Sequence, residues 1–213
     1  MVKILGVSGS PRKASTEYAL SQALEGAMEI EGVETSLVSL RGKKMNFCIH
    51  CNRCIKEEAR HCVVYRDDDV NELCEQFYQA DGYIIASPVY EMGITPQLCT
   101  FFSRFRPNYL ILKDDPTFFS TKVGGAISVG GTRNGGQESA INNILGFYHT
   151  QGILVANGGM CVYNGAAVWS KDKMEQGARE DEAGMNNARL IGRKVAYTSK
   201  VIKKGLEAMQ ATK

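Results

Sequence analysis

The 213-residue sequence has no long apolar run and no excess of charge of either sign. No stretch approaches the ~18 apolar residues that a membrane-spanning helix needs. The first apolar run, Val2–Val7, is far too short for the apolar core of an export signal, and polar residues follow at once. These two lacks exclude a membrane partner and lead us to expect a cytoplasmic chain. Lysine and arginine number 25 against 23 acidic residues, a net charge of +2. That bias is too weak to imply nucleic acid as a partner. Internal repeats, low-complexity segments and Pro/Ser-rich linkers are missing too, so the expectation is one domain over residues 1–213. Neither G-x-G-x-x-G nor G-x-x-x-x-G-K-[ST] occurs, which removes the dinucleotide and ATP fingerprints. No Ser-His-Asp or paired-carboxylate arrangement stands out, so the chemistry is not expected to rest on side-chain nucleophiles or acid–base pairs.

What is present is an alternation of short apolar runs with longer amphipathic segments. Strands are expected at Val2–Ser8, Val33–Leu40, Gly82–Ser87, Lys122–Val129 and Ile153–Ala156. Helices are expected at Thr16–Glu31, Val70–Ala80, from Thr95-Pro96 to about Arg106, at Gly136–Gln151, and near the C-terminus to about Met209. A polar irregular stretch is expected around Trp169–Lys173. Such alternation implies an α/β fold with a five-stranded, doubly wound parallel sheet in flavodoxin-like order. Ligands of such sheets bind beyond the carboxyl ends of the strands, and the unusual residues gather there.

After the first strand runs Ser8-Gly9-Ser10-Pro11-Arg12-Lys13-Ala14-Ser15-Thr16, leading into a helix. Small residues, hydroxyls, a cation and a helix N-terminus together suit a phosphate; an ordinary capped turn is the plainer alternative. After the third strand, the rigid turn Ser87-Pro88-Val89-Tyr90-Glu91-Met92-Gly93 can lay backbone amides along a flat ring, or simply end a strand. After the fourth, Gly130-Gly131-Thr132-Arg133-Asn134-Gly135-Gly136-Gln137 holds four glycines in seven residues, which implies either a close approach or a flexible loop.

Four of the seven cysteines fall within fifteen residues, as Cys48, Cys51, Cys54 and Cys62, in the spacing C-x2-C-x2-C-x7-C. A tight cluster in a reducing compartment points to a metal or redox site rather than a disulfide framework. Three thiolates two residues apart can wrap three corners of a cubane, with the fourth returning from a short loop. Zinc, which prefers two separated C-x2-C knuckles, and a metal-free thiol loop remain alternatives.

The Gly-Ser-Pro-Arg-Lys, Ser-Pro-Val-Tyr and Gly-Gly-Thr loops resemble the NADPH-dependent FMN reductase group of flavodoxin-like proteins over roughly residues 1–160. That resemblance implies FMN, with Ser8, Ser10, Arg12, Lys13, Ser15 and Thr16 at its phosphate. It implies Pro88, Val89, Tyr90, Glu91, Met92 and Gly93 along the isoalloxazine ring, and Thr132, Arg133, Gly135, Gly136 and Gln137 at its other edge. Two departures are Ala14-Ser15-Thr16 where that group usually has Gly-Asn-Thr, and Ser103-Arg104 in place of an Asp-Arg pair. The cysteine loop, residues 45–66, brings the chain closest to the iron–sulfur flavoproteins. This implies a [4Fe–4S] cluster on Cys48, Cys51, Cys54 and Cys62, and a homodimer or homotetramer that brings a cluster near FMN.

The resulting expectation is an FMN-dependent oxidoreductase or electron-transfer protein. It would link a one-electron donor such as ferredoxin to the [4Fe–4S] cluster and FMN. An NAD(P)H-dependent FMN or quinone reductase without a cluster is one alternative, and a non-catalytic zinc or redox-sensing module is another. Cys74, Cys99 and Cys161 sit in apolar stretches and are expected to pack in the core. His50 and His61 are expected to be exposed loop residues, and His149 a helix-end residue. Asp67-Asp68-Asp69 is expected to cap the following helix. The basic residues Lys200, Lys203 and Lys204 read as a solvated face. Trp169 and Tyr163, in the extension over residues 160–213, are candidates for an oligomer surface.

Overall fold

The computed structural model describes residues 1–212. Its centre is a sheet in the order β2-β1-β3-β4-β5, with a sixth strand also paired to β4. The strands are β1 (Val2–Ser8), β2 (Val33–Ser39), β3 (Gly82–Pro88), β4 (Val123–Gly130), β5 (Leu154–Val155) and β6 (Ala166–Trp169). All five pairings are parallel. β3 and β4 are buried almost throughout, as strands covered on both faces must be.

Side chains alternate between two apolar layers, as the two-residue strand period requires. Ile4, Ile84 and Ile127 face one layer, where α1 (Ser15–Met28) and α8 (Glu182–Ala211) pack. Leu5, Ile85 and Ala126 face the other, covered by α3 (Val70–Gln79), α4 (Pro96–Ser103) and α6 (Gln137–Gln151). Leu20 on α1 is fully buried, which contributes about 1.5–3 kcal/mol. α1 and α8 approach so closely that a Cβ at Gly192 would strike the backbone of Ala23. Three shorter helices complete the chain: α2 (Arg53–Lys56), α5 (Asn108–Asp114) and α7 (Met174–Arg179).

The structure departs from the sequence reading in several places. The fifth sheet position is built from two pieces: β5 pairs with the start of β4, and β6 pairs with its end. Trp169 therefore closes a strand rather than lying in an irregular stretch. The helix opened by Thr95-Pro96 stops at Ser103, and α5 follows it, with Asn108 Nδ2 donating to Gln151 Oε1 at 2.7 Å. Cys74 is in the core, and burial pushes its thiol pKa up to about 12. Cys99 and Cys161 are exposed instead: Cys99 follows the inward-facing Leu98 on α4, and Cys161 sits at a left-handed turn position. Among the described residues no helix is long and apolar enough to cross a membrane.

Candidate functional site at the strand ends and the cysteine loop

The three strand-end loops meet at one end of the sheet. Gly9 N donates to Ala86 O at 2.8 Å, and Thr95 Oγ1 donates to Gly9 O at 2.7 Å, tying the loop after β1 to β3 and α4. Val89 N donates to Val129 O at 2.9 Å, joining the loops after β3 and β4. A Cβ on Gly136 would lie 2.8 Å from Met92 Sδ and 3.2 Å from Val89 Cγ1. With φ at +94°, this position suits glycine on backbone grounds as well.

Helix α1 begins without a side-chain cap, since Ala14 occupies the N-cap. Its first intrahelical donor is Tyr18 N, which reaches Ala14 O. Among the described residues the preceding amides have no hydrogen-bond partner and can face an anion, at the positive end of the helix dipole. Arg12 and Lys13 are exposed beside them. Ser10 is already engaged, because its Oγ donates to Arg12 O at 2.8 Å and accepts from Arg12 N at 3.1 Å. Ser8 is fully buried, and its Oγ accepts from Ser10 N at 3.4 Å. These two serines shape the loop from within, while Ser15 remains half-buried and Thr16 is buried.

After β3, Tyr90 and Gly93 exchange two backbone hydrogen bonds of 2.9 and 2.8 Å. The two residues between them, Glu91 and Met92, both have positive φ, at +46° and +66°. This is the geometry of a type I′ turn made without glycine, and strain of that kind gathers at functional positions. Among the described residues the amides of Glu91 and Met92 have no hydrogen-bond partner. Tyr90 and Met92 are exposed. A cleft of about 360 Å³ runs beside Tyr90, between Pro11, Lys43, Met45 and Thr100.

In the loop after β4, Gln137 is committed to its own backbone. Its Nε2 donates to Thr132 O at 2.6 Å, and its Oε1 accepts from Gly135 N at 2.8 Å. Trp169 lies against this loop, with Nε1 donating to Gly131 O at 2.8 Å and the Arg133 guanidinium 4.5 Å above its ring. Trp169 is half-buried there, and Tyr163 is 75% exposed. Beyond Met92, Arg133 and Gln137 the surface opens into a cavity of about 850 Å³. Two buried oxygens near these loops lack partners among the described residues: Glu17 Oε2 in the first turn of α1 and Ser128 Oγ near the end of β4. A further groove of about 290 Å³ lies along Lys3 and Gln79, away from the strand ends, and carries none of these features.

Cys48, Cys51, Cys54 and Cys62 line one hollow together with Tyr65 and Arg104. The loop can curl because His50, Asn52 and Glu58 adopt positive φ. Such turns aim backbone amides at negative sulfur, and His50 N already donates to Cys48 Sγ at 3.3 Å. Burial raises the Cys54 thiol pKa, and the neighbouring cysteines add to that rise; a bound cation would reverse the balance by holding the thiolates. A single zinc ion, with Zn–S of about 2.3 Å, requires sulfurs roughly 4 Å apart. Among the described residues no group of three His, Cys, Asp or Glu side chains could hold one metal ion. The free space in the hollow is about 20 Å³, so a cluster would enter with an opening of the loop. His50 and His61 are exposed.

The end of α4 holds this loop in place. Cys48 N donates to Ser103 Oγ at 3.0 Å, and Arg106 Nε donates to Asn52 Oδ1 at 3.1 Å. Arg104 pairs with Asp68 at 2.5 Å, with both side chains buried. Asp68 Oδ1 does accept from Val70 N at 3.2 Å at the start of α3, but its principal partner is Arg104. Asp67 and Asp69 hold Lys44 instead of capping the helix. The sequence reading thus missed Asp68, Ser103, Arg104 and Arg106 as supports of the site. The displaced Asp-Arg position was the only signal.

Comparison with known proteins gives a consistent picture. Residues 2–167 match the family model of the NADPH-dependent FMN reductases. An "Iron-sulfur flavoprotein" of Archaeoglobus fulgidus is 41% identical over 91% of this chain and 95% of the relative. One from Methanocaldococcus jannaschii is 42% identical over 86% of this chain and 90% of its own length. Among solved structures, a flavone reductase aligns with a TM-score of 0.67 at 24% identity, over 95% of this chain and 64% of that one. An azoreductase from Bacillus anthracis aligns at 0.64 and 14% identity, over 91% of this chain and all of that one. These last two likenesses concern the fold.

Proposed function

The chain belongs to the NADPH-dependent FMN reductase family, and within it to the iron–sulfur flavoproteins, and from that premise we propose that it holds FMN across the three strand-end loops and a [4Fe–4S] cluster on Cys48, Cys51, Cys54 and Cys62. It is an FMN-dependent oxidoreductase or electron-transfer flavoprotein. When bound, the cluster supplies one-electron transfer and FMN both one- and two-electron transfer, which suits a one-electron donor such as ferredoxin.

The chain's own residues bind and orient. The uncapped first turn of α1, with Ser15, Thr16, Arg12 and Lys13, neutralises a phosphate. Ser8 and Ser10 fix the curvature of that loop. The turn Tyr90–Gly93 presents its two free amides to the edge of a flat ring, with Pro88 and Val89 leading into it. Thr132, Arg133, Gly135, Gly136 and Gln137 form the opposite wall, stiffened by Gln137 and Trp169. At the cysteine loop, the positive-φ positions and the arginines of the α4 end favour an anionic thiolate-bound group. We read residues 1–213 as one domain, with the extension over 160–213 supplying β6 and α8. Exposed Phe47 and Ile49 on the cysteine loop fit a homodimer or homotetramer.

One observation carries the reading: four cysteines from a C-x2-C-x2-C-x7-C segment line a single hollow whose turns already aim an amide at sulfur. The test is anaerobic purification followed by a visible spectrum with iron and sulfide assays. About four irons per chain beneath flavin bands is the expected result. Flavin without iron, and rapid bleaching by NADPH in place of reduced ferredoxin, would instead establish a plain NAD(P)H-dependent FMN or quinone reductase.

A further inference from the structure

Arg104 is almost fully buried and lines the cysteine hollow. A guanidinium carries five N–H donors, and none can be given up by deprotonation. Here Nη1 donates to Asp68 Oδ2 at 2.5 Å and to Asn46 O at 2.8 Å. Nη2 donates to Asp68 Oδ1 at 3.3 Å and to Tyr65 O at 3.4 Å. Those four bonds lock its plane, and the Tyr65 ring stacks 5.3 Å from its centre. Asn46 lies just before Cys48 and Tyr65 just after Cys62, so one side chain clamps both stems of the cysteine loop. The fifth donor, Nε, is buried and has no partner among the described residues.

A buried donor on a charged group is rarely left unmade, so its partner is expected to be a group that the hollow receives. The electrostatics agree with the geometry. Burial works against the Arg104 charge, whereas the Asp68 hydrogen bond and the closeness of Cys62 favour it. Asp68 is itself filled, since it also accepts from Asn46 N, Asn46 Nδ2 and Val70 N. It cannot accept a hydrogen bond from Nε without surrendering another.

We propose that Arg104 is a positioning residue for the bound cluster: its Nε–H donates to a cluster sulfur, on Cys62 or an inorganic sulfide, and raises the reduction potential. This rests on the cluster reading above. The Arg104–Asp68 pair is close to neutral as a unit, so the effect is one of a directed hydrogen bond. Such bonds favour the more negative, reduced form of the cluster.

Two variants of the full chain, purified anaerobically, test this. Arg104→Lys keeps a charge for Asp68 but has no Nε–H. Asp68→Leu combined with Arg104→Met removes the pair as a unit, and so removes the donor without stranding a charge. Iron, sulfide and flavin are counted per chain, and the cluster midpoint is read by an EPR-monitored redox titration. The expected result is iron-loaded protein in which the reduced-to-oxidised ratio at a given potential falls at least tenfold, a drop of about 59 mV for one electron. An unchanged or raised midpoint in loaded variants overturns the inference while leaving the cluster reading intact. Loss of iron from both variants with flavin retained overturns it too, and makes Arg104 purely a scaffold. Wild-type protein without iron overturns both readings at once.

Discussion

Replacing Asp68 by asparagine leaves the Arg104 guanidinium buried without its counter-charge, since the two side chains are 0% and 1% exposed. Breaking a buried pair by removing one partner costs about 3–5 kcal/mol. The asparagine carbonyl retains one neutral hydrogen bond, which offsets about 1 kcal/mol. The net loss is about 2–4 kcal/mol, or roughly 4–16 °C in Tm for a chain of this size. Urea unfolding followed by circular dichroism at pH 7 measures it. The pH dependence supplies a second arm. Burial alone would raise the Asp68 pKa, but the hydrogen bonds from Arg104 and Asn46 outweigh it and hold the carboxyl below its ordinary value. A carboxyl depressed in the fold contributes stability above its unfolded pKa of about 3.9 and loses it as pH falls through the lower folded value. The gap between wild type and Asp68→Asn should therefore stay constant from pH 7 to 5 and close only below about pH 4. An Asp68→Asn chain within about 0.5 kcal/mol of wild type, or a gap that closes near neutrality, would refute the reasoning.

Two glycines of α8 form a matched pair. Gly192→Ala drives a methyl into the Ala23 backbone and should cost about 1–2 kcal/mol after the gain in helix propensity, whereas Gly205→Ala, in open space, should gain about 0.5–1 kcal/mol in the same melt. Cys51→Ser should abolish iron binding while flavin absorbance persists; co-purified iron at the wild-type ratio would remove that cysteine from the ligand set. Thr95→Val removes both the bond to Gly9 O and the cap on Leu98 N, so a loss of about 1–2 kcal/mol and weaker FMN retention in a fluorescence titration are expected.

The sheet was legible because β1, β3 and β4 are short apolar runs, each ending in Ser, Pro or Gly where a parallel sheet binds ligands. The cysteine spacing was legible for a similar reason, since its four cysteines are local in sequence. What escaped notice was long-range or depended on phase. β6 is four residues and means nothing until β4 offers it an edge. Asp68 and Arg104 are 36 residues apart, and an Asp triplet before a helix reads as a cap until a buried cation faces it. Cys99 looked like core because its neighbours are apolar, yet one helical step from the buried Leu98 turns it outward. Ser10 and Gln137 have the right chemistry to touch a ligand, and each also hydrogen-bonds its own loop. That is a matter of rotamer, which residue type does not fix.

The two candidate sites share one support. α4 is capped by Thr95, bonded to Gly9 in the loop after β1, and ends at Ser103, bonded to Cys48 in the cysteine loop. Its eight residues span about 12 Å, so a single rigid element sets the relation between the two loops. Leu98 is its anchor: it is fully buried, and a Cβ on Gly9 would lie 3.1 Å from its side chain. Leu98→Ala should cost about 2–5 kcal/mol and let the helix settle toward the cavity. If α4 couples the loops, that one truncation lowers iron and flavin content together in protein that still folds, whereas Cys51→Ser lowers iron alone. Retention of full iron by a Leu98→Ala chain that has lost its flavin would show that the cysteine loop holds its geometry without the helix. The contacts of Ser103, Arg104 and Arg106 would then follow from the position of the loop rather than determine it.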